Sequence, residues 1–279
     1  MSLRLLCSMT LLFSLALSLP VAFPAQSSVA TEAFDQGQYG TAYQLARTLA
    51  EEGDVEAQVL LGRMFAWGRG VPRDQSEAVK WFRKAAEQGH GLAQSILGLR
   101  YAYGRGVPQD DSQAIEWFRR GTKRGNAVAQ HNLGVMYENG KGLAKDDQQA
   151  AYWYRLAAEQ GVPHAQSNLG RMYSEGRGVA RDKLEAVKWF QKAAQRGLPQ
   201  AMHNLGVAYL NGEGLAQDDL KAYAWVHLAA QFSSRGWRTR EVHQQSTDLK
   251  GRLGQRMTAK EIKKAERLSQ KWRKKLARR

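Results

Sequence analysis

The chain has 279 residues, of which 43% are hydrophobic and 24% charged, a globular composition that excludes disorder and a collagen-like repeat. Cys7 is the only cysteine, which excludes a disulfide scaffold, a cysteine-based zinc site and a CxxC redox pair. Lys and Arg number 41 against 26 Asp and Glu, and this charge of +15 by itself favours an anionic partner. The excess lies at the carboxyl end, because residues 231–279 hold 16 basic and 4 acidic residues.

The amino terminus has the pattern of a secretory signal peptide. Arg4 precedes an uncharged apolar run from Leu5 to Leu19. We expect residues 1–25 to be this signal, with cleavage near Ala25 or, alternatively, after Ala30, and the protein to be periplasmic or secreted. The run is short for a membrane span, which needs about 20 apolar residues. An uncleaved anchor in the inner membrane is the alternative.

A 36-residue repeat organises the body of the chain. Leu-Gly pairs end at five evenly spaced glycines: Gly62, Gly98, Gly134, Gly170 and Gly206. The same step relates the tryptophans Trp81, Trp117, Trp153, Trp189 and Trp225 and the aspartates Asp74, Asp110, Asp146, Asp182 and Asp218. Because no copy contains an insertion or deletion, these columns do not arise by chance.

Each repeat predicts two helices joined by a loop. In repeat 1 the apolar residues from Ala57 to Phe65 follow the spacing of one helical face. A Gly-x-Gly pair then allows the chain to turn, and Asp74 is expected to cap the second helix, with Glu77 completing a capping box. A glycine inside a helix costs about 1 kcal/mol relative to alanine, so Gly62 predicts close contact with a neighbouring helix. The tryptophan column is expected in the core.

The repeat pattern resembles the Sel-one-like repeat family, a relative of the tetratricopeptide repeats. It is clearest in AQSNLGRMYSEGRGVARDKLEAVKWFQKAAQRG, from Ala165 to Gly197. The resemblance implies an all-α fold, a right-handed solenoid of antiparallel helical hairpins. The expected divisions are a leading helical cap at 26–56, repeats at 57–92, 93–128, 129–164, 165–200 and 201–232, and basic capping helices at 233–279.

The same resemblance implies a non-enzymatic scaffold that binds proteins, in bacteria often within the cell envelope. Cysteine-rich secreted members of the family are associated with β-lactam binding or hydrolysis, but this chain lacks their cysteine pairs. No enzyme activity, cofactor or metal is expected, because residues outside the repeat pattern supply no converging acid, base or nucleophile. His131 and His203 share one column but lie two repeats apart, too far for a common metal.

The carboxyl end departs from the repeat. Residues 237–249 predict one weakly patterned helix, and Thr258 with Glu261 predicts a capping box for the last helix. One side of that helix carries apolar residues that are expected to cap the stack. These residues are Ile262, Ala265, Leu268, Trp272 and Leu276.

A partner groove is expected along the first helices of the repeats, which line the concave side in related solenoids. The candidate partner-binding residues are Asn132, Asn168, Asn204, Arg63, His131, Arg171 and His203. Asparagine offers both a donor and an acceptor to the backbone of an extended peptide. The alternative is that these amides bond to a loop or a neighbouring helix of the protein itself. The expected partner is an envelope protein or peptide, and the protein is expected to be monomeric until bound.

The last helix suggests a second function, attachment to an anionic surface. Its basic residues are Lys260, Lys263, Lys264, Arg267, Lys271, Arg273, Lys274, Lys275, Arg278 and Arg279. They would approach the phosphates of acidic lipid, lipopolysaccharide or cell-wall polymer. The alternative is that they form only the solvated face of a capping helix. Nucleic acid is not expected, because the segment lacks a base-reading motif.

Overall fold

The computed structural model describes residues 23–234 and 239–277, which form fourteen α-helices and no strand. Their bounds are α1 Phe23–Asp35, α2 Tyr39–Glu51, α3 Val55–Trp67, α4 Gln75–Glu87, α5 Gly91–Ala102, α6 Asp111–Lys123, α7 Ala127–Asn139, α8 Asp147–Glu159, α9 Pro163–Glu175, α10 Lys183–Ala194, α11 Pro199–Asn211, α12 Asp219–Ser233, α13 Arg240–Gly254 and α14 Ala259–Leu276. Most of the expected signal peptide, including Cys7, lies outside the described residues.

The repeats fold as five hairpins, α3–α4 to α11–α12, and the chain is an all-α solenoid. Within each hairpin the two helices pack on each other, and the second helix also packs on the first helix of the next hairpin. Every second helix begins after the expected aspartate, whose side chain accepts one or two backbone N–H groups of the first turn. The reciprocal half of the capping box does not form in repeat 1, because the Glu77 carboxylate pairs with Lys80 at 2.8 Å.

The glycine inside each first helix makes room for a side chain of the second helix. A Cβ atom on Gly170 would lie 2.7 Å from the ring of Phe190 and 3.1 Å from the carbonyl oxygen of Ala186. Phe82, Phe118 and Tyr154 occupy the same place in repeats 1 to 3, and Val226 does so in repeat 5. The expected close contact is therefore confirmed, and its main partner is an aromatic ring.

The tryptophan column ties neighbouring hairpins together, although two of its members are only half-buried. Trp81, Trp117 and Trp189 are buried against residues of the preceding hairpin, as expected for core residues. Trp153 and Trp225 keep partial exposure. Trp225 stacks instead on Trp272 of α14, with ring centroids 4.3 Å apart.

Both ends of the stack are closed by helices outside the repeats. The α1–α2 hairpin precedes repeat 1 and buries apolar residues against α3. At the other end, α13 and α14 both pack on α12. The structure places α13 at Arg240–Gly254, later than the expected 237–249, and residues 235–238 lie outside its description. The capping box of Thr258 and Glu261 at the start of α14 is confirmed.

The close packing at Gly170 predicts a stability effect with an internal control. Gly170→Ala should lower the free energy of unfolding by about 1–3 kcal/mol, because the new methyl group overlaps Phe190 and a buried ring has little room to move. Gly251→Ala should be neutral or stabilising by up to about 1 kcal/mol, since no atom lies within 4 Å of its added Cβ. Urea denaturation of both variants measures the difference, and equal effects would contradict the assigned contact.

Candidate functional site

A cleft of about 460 Å³ opens between the first helices of repeats 4 and 5 and the capping helix α13. We call it the groove cleft. Polar side chains of α9 and α11 line one part of it, and apolar atoms of α10 form another. Four of the candidate partner-binding residues reach it, namely Asn168, Arg171, His203 and Asn204. The repeat columns therefore bring these four together, as the groove prediction requires.

The other three candidates lie outside this cleft. Arg63 is in α3, with its guanidinium 5.1 Å from the ring centroids of both Phe34 and Trp67. Asn132 donates to the carbonyl oxygen of Val128 in its own helix, at 2.8 Å. Its amide thus bonds within its own helix, which is neither the partner groove nor the loop or neighbouring helix of the alternative. His131 lies beneath repeat 4, as described below.

Both remaining asparagines have partners within the protein, and the Asn168 amide contacts two residues of the preceding repeat, Tyr154 and His131. The Nδ2 atom of Asn168 lies 3.4 Å from Nε2 of His131. The Oδ1 atom of Asn204 accepts a hydrogen bond of 3.2 Å from Gln200, which also lines the cleft. These contacts leave part of the hydrogen-bonding capacity of each amide unused, because an amide group can take part in up to four such bonds.

Helix α13 forms the end wall of the groove cleft. Glu241 and Gln245 of this helix line it, and the buried hydroxyl of Ser246 lies 3.0 Å from Nδ1 of His203. Burial lowers the pKa of His203, so its imidazole is neutral at neutral pH. The sequence did not point to these three α13 residues, since the repeat register ends at Phe232 and gives no columns beyond it.

A charged network borders the groove cleft on its amino-terminal side. The guanidinium of Arg171 lies 2.5 Å from Glu138 of the preceding repeat and 3.3 Å from Glu175 of its own helix. Arg177 contacts the same Glu138 carboxylate at 3.1 Å and Asp147 at 2.7 Å. Arg171 is thus already paired, and its main role is to hold α9 against α7 and to keep the Glu138 charge compensated.

Only Arg171 of this network was expected from the sequence, and its central members Glu138 and Tyr154 were not. The Tyr154 hydroxyl donates to Glu138 Oε2 at 2.8 Å. Burial raises the pKa of Glu138, but Arg171, Tyr154 and Arg177 together outweigh it, so the pKa is lowered overall. The sequence does mark these two residues, because each departs from the residue type that its repeat column has elsewhere. Repeats 1, 2 and 4 have phenylalanine where Tyr154 stands, and no other repeat has an acid where Glu138 stands.

His131 sits beneath this network and is not free for a partner. Its ring centroid lies 5.7 Å from that of Tyr154 and 6.1 Å from that of His164. Burial and the neighbouring His164 lower the pKa of His131 to about 4. The imidazole is therefore neutral at neutral pH and acts within the core rather than as a charged contact.

Helix α14 presents a basic face of unusual density. All eight of its candidate anionic-surface residues that the structure describes, from Lys260 to Lys275, are exposed, and Arg278 and Arg279 lie outside the described residues. Within the described ranges none of the eight forms an ion pair. The apolar face is occupied, because Ala265 is buried and Trp272 stacks on Trp225. The exposed surface of α14 is thus predominantly basic.

Residues 23–234 and 239–277 contain no group of three or more His, Cys, Asp or Glu side chains arranged to hold a metal ion. In the same part of the chain, no helix combines the length and the apolar character that crossing a bilayer requires.

Comparison with known families identifies the repeat. A family model described as Sel1 repeat matches residues 55–90, 91–126, 127–162, 163–198 and 199–231, which is more than half of the chain. The chain belongs to the Sel1 repeat family. Sel1 repeat proteins are generally protein–protein interaction modules and generally non-catalytic scaffolds.

Solved structures of Sel1 repeat proteins resemble this chain over most of its length. A Sel1 repeat protein from Oxalobacter formigenes is 31% identical, with a TM-score of 0.66 over 74% of this chain and 84% of that one. The protective antigen c5321 of uropathogenic Escherichia coli strains, described as having an SLR fold, is 27% identical, with a TM-score of 0.44 over 91% of this chain and 69% of that one. A search of curated proteins found no significant match.

The low pKa of His131 predicts a pH-dependent stability. The imidazole titrates near 6.5 in the unfolded chain and near 4 in the folded one, so the unfolded state binds more protons between these values. Stability should therefore fall as the pH is lowered through this window, by up to about 3 kcal/mol from this group.

Chemical denaturation at pH 7.5 and pH 4 compares wild type with His131→Gln, which keeps a polar side chain but cannot titrate. Wild type should lose more stability than the variant. Since His164 and His203 are present in both proteins, the difference reports the titration of His131 together with its coupling to His164. Equal losses would show that His131 has the same pKa in the folded and unfolded states.

Proposed function

We propose that this protein is a non-catalytic scaffold of the bacterial cell envelope that binds a partner protein or peptide in the groove cleft. One observation carries the proposal: the amides of Asn168 and Asn204 face one cleft together with His203. Spaced amides can hydrogen-bond the N–H and C=O groups of an extended peptide. The general role of Sel1 repeats as interaction modules supports this assignment.

The envelope location rests on the amino-terminal sequence. Arg4 and the apolar run from Leu5 to Leu19 form the pattern of a signal peptide, and removal of this segment would leave a chain without cysteine. Such a chain needs no oxidising machinery to fold outside the cytoplasm. Ala30 is fully buried in the first core cluster, which favours cleavage near Ala25 over cleavage after Ala30. Mass spectrometry of the protein from fractionated cells tests the location and the bond.

The groove is tested by removing its two amides. Asn168→Ala with Asn204→Ala should weaken capture of an envelope partner by about thirtyfold, since the two hydrogen bonds contribute roughly 1 kcal/mol each. Asn139→Ala is the matched control, because its exposed amide bonds only to Val135 of its own helix. Arg171 is left unchanged, as its removal would leave the Glu138 carboxylate uncompensated and disturb the fold.

Quantitative pull-down from envelope extracts and thermal denaturation of all three proteins provide the readout. A photo-cross-linking residue at position 204 should capture the same partner, whereas one at Arg119, on a second helix outside the cleft, should not. Undiminished capture by the folded double variant would refute a role for the groove amides.

A second candidate function is electrostatic attachment through α14, which the dense basic face favours. Acidic surfaces attract such residues with about 1 kcal/mol per charge near the surface. Insertion into lipid is disfavoured, because Trp272 and the other apolar residues of α14 already pack on α12. This candidate is therefore a salt-sensitive tether to lipopolysaccharide, acidic lipid or cell-wall polymer.

Charge neutralisation tests the tether better than truncation, because deleting α14 would expose Trp225. A triple variant Lys263→Gln, Lys264→Gln, Lys271→Gln should release the protein from sedimented membranes at low salt, as should high salt with wild type. The control is Lys123→Gln, Lys141→Gln, Lys145→Gln, which removes three exposed charges from the repeats. If both triple variants sediment like wild type, α14 is only a cap.

A further inference from the structure

At two junctions, loops of the solenoid carry an ion pair between neighbouring repeats. The residue between the two loop glycines of one repeat faces the first residue of the second helix in the preceding repeat. Arg177 pairs with Asp147 through two bonds of 2.7 and 3.2 Å. The next junction has the reverse polarity, with Lys183 and Glu213 at 2.7 Å. Each of these junctions compensates a charge with a partner one repeat away.

The first junctions lack the acidic member of this pair. Arg105 occupies the position of Arg177, but the position of Asp147 is occupied by the neutral Gln75. One repeat earlier, Arg69 faces Tyr39 and bonds to its hydroxyl group. In the described part of the chain, no carboxylate oxygen lies within 4.0 Å of either guanidinium. These two junctions keep the basic residue of the loop, but a neutral residue stands in the place of the acidic one.

Arg100 also lies at the junction with Gln75, and its position in the repeat belongs to the core in other repeats. Arg100 stands in the column that holds Met64, Met136 and Met172 in other repeats, and those methionines are buried. Its guanidinium bonds to the Gln75 side chain and lies 5.4 Å from the ring centroid of Phe82. A charged group thus replaces an apolar one at a half-buried site, without a carboxylate to compensate it.

The surrounding charges make this arrangement unfavourable for the isolated protein. Burial lowers the pKa of Arg100, and the nearby Arg105 and Arg73 lower it further. Arg73, like Arg105, is exposed and without an acidic partner. Arg100, which bonds to Gln75, thus has two further arginines near it, and no carboxylate oxygen of the described residues lies within 4.0 Å of any of the three guanidinium groups. We call Arg73, Arg100 and Arg105 the arginine patch.

We propose that the arginine patch is a binding site for a carboxylate side chain of an acidic peptide segment in a partner protein. Arginine recognises planar carboxylates through paired hydrogen bonds, and Asp147 shows at the equivalent junction that this geometry accepts one. The exposed ring of Tyr103 lies beside Arg105, with the guanidinium 5.4 Å from its centroid. Exposed tyrosine next to arginine is typical of residues that dominate protein interfaces.

A peptide fits this site better than an anionic surface does. The Arg100 guanidinium is half-buried, bonded to Gln75 and close to the ring of Phe82, so a flexible side chain can reach it more readily than a flat headgroup layer. The patch lies in repeats 1 and 2, whereas the groove cleft lies between repeats 4 and 5 and α13. The two sites are therefore separate, and a failure of one leaves the other intact.

The test supplies the missing carboxylate from within the chain. Gln75→Asp recreates the arrangement of Asp147, so the new carboxylate should pair with the arginines and exclude a ligand. Arg105→Gln removes one guanidinium from the surface, where folding is little affected. Arg119→Gln is the matched control, since it removes an exposed charge from the second helix of repeat 2. The full chain is used throughout.

Fluorescence anisotropy measures binding of a short labelled peptide rich in Glu and Asp, beside the same peptide with Gln and Asn in their place. Wild type and Arg119→Gln should prefer the acidic peptide by at least about tenfold, and both Gln75→Asp and Arg105→Gln should weaken its binding about tenfold. Gln75→Asp should also raise the melting temperature. Wild-type affinity in Gln75→Asp, equal binding of the two peptides, or binding only to phosphatidylglycerol vesicles would overturn the proposal.

Discussion

The contact between a helical glycine and the side chain it faces sets the spacing of every hairpin. Where Gly170 leaves space, the ring of Phe190 fits against the helix backbone, and the same contact recurs in the other repeats. Since the five hairpins share this spacing, they stack with a constant offset, and residues 36 positions apart align along the solenoid. The repeat residues of the groove cleft and those of the arginine patch stand in such aligned columns.

Departures from a column mark the places where charged and polar contacts are added to the repeated packing. Tyr154 adds a hydroxyl group where other repeats have an apolar side chain, and it bonds to Glu138, an acid found in no other repeat at that position. Arg100 and Gln75 depart from their columns in the same way. The repeated residues maintain the packing, so these few positions are free to vary and to create charge.

The sequence was sufficient for the fold and for part of the site. Five repeats with a constant spacing of 36 residues predicted the helices, their aspartate caps and the column that brings Asn168 and Asn204 to one cleft. The pairing of Arg171 with Glu138 was not predictable in this way, because they lie 33 positions apart in different columns. Helix α13 follows no column, so its place beside His203 is a matter of tertiary packing that periodicity does not encode.

Helix α13 has two roles in one position, since it closes the stack on α12 and forms a wall of the groove cleft. The groove cleft therefore lies at the carboxyl-terminal end of the solenoid, whatever the number of repeats that precede it. A whole repeat added or lost among the early hairpins would change the length of the protein and leave the cleft intact. A repeat inserted after α12 would part α13 from α11 and abolish it. Variation in repeat number is thus compatible with a constant binding site only on the amino-terminal side.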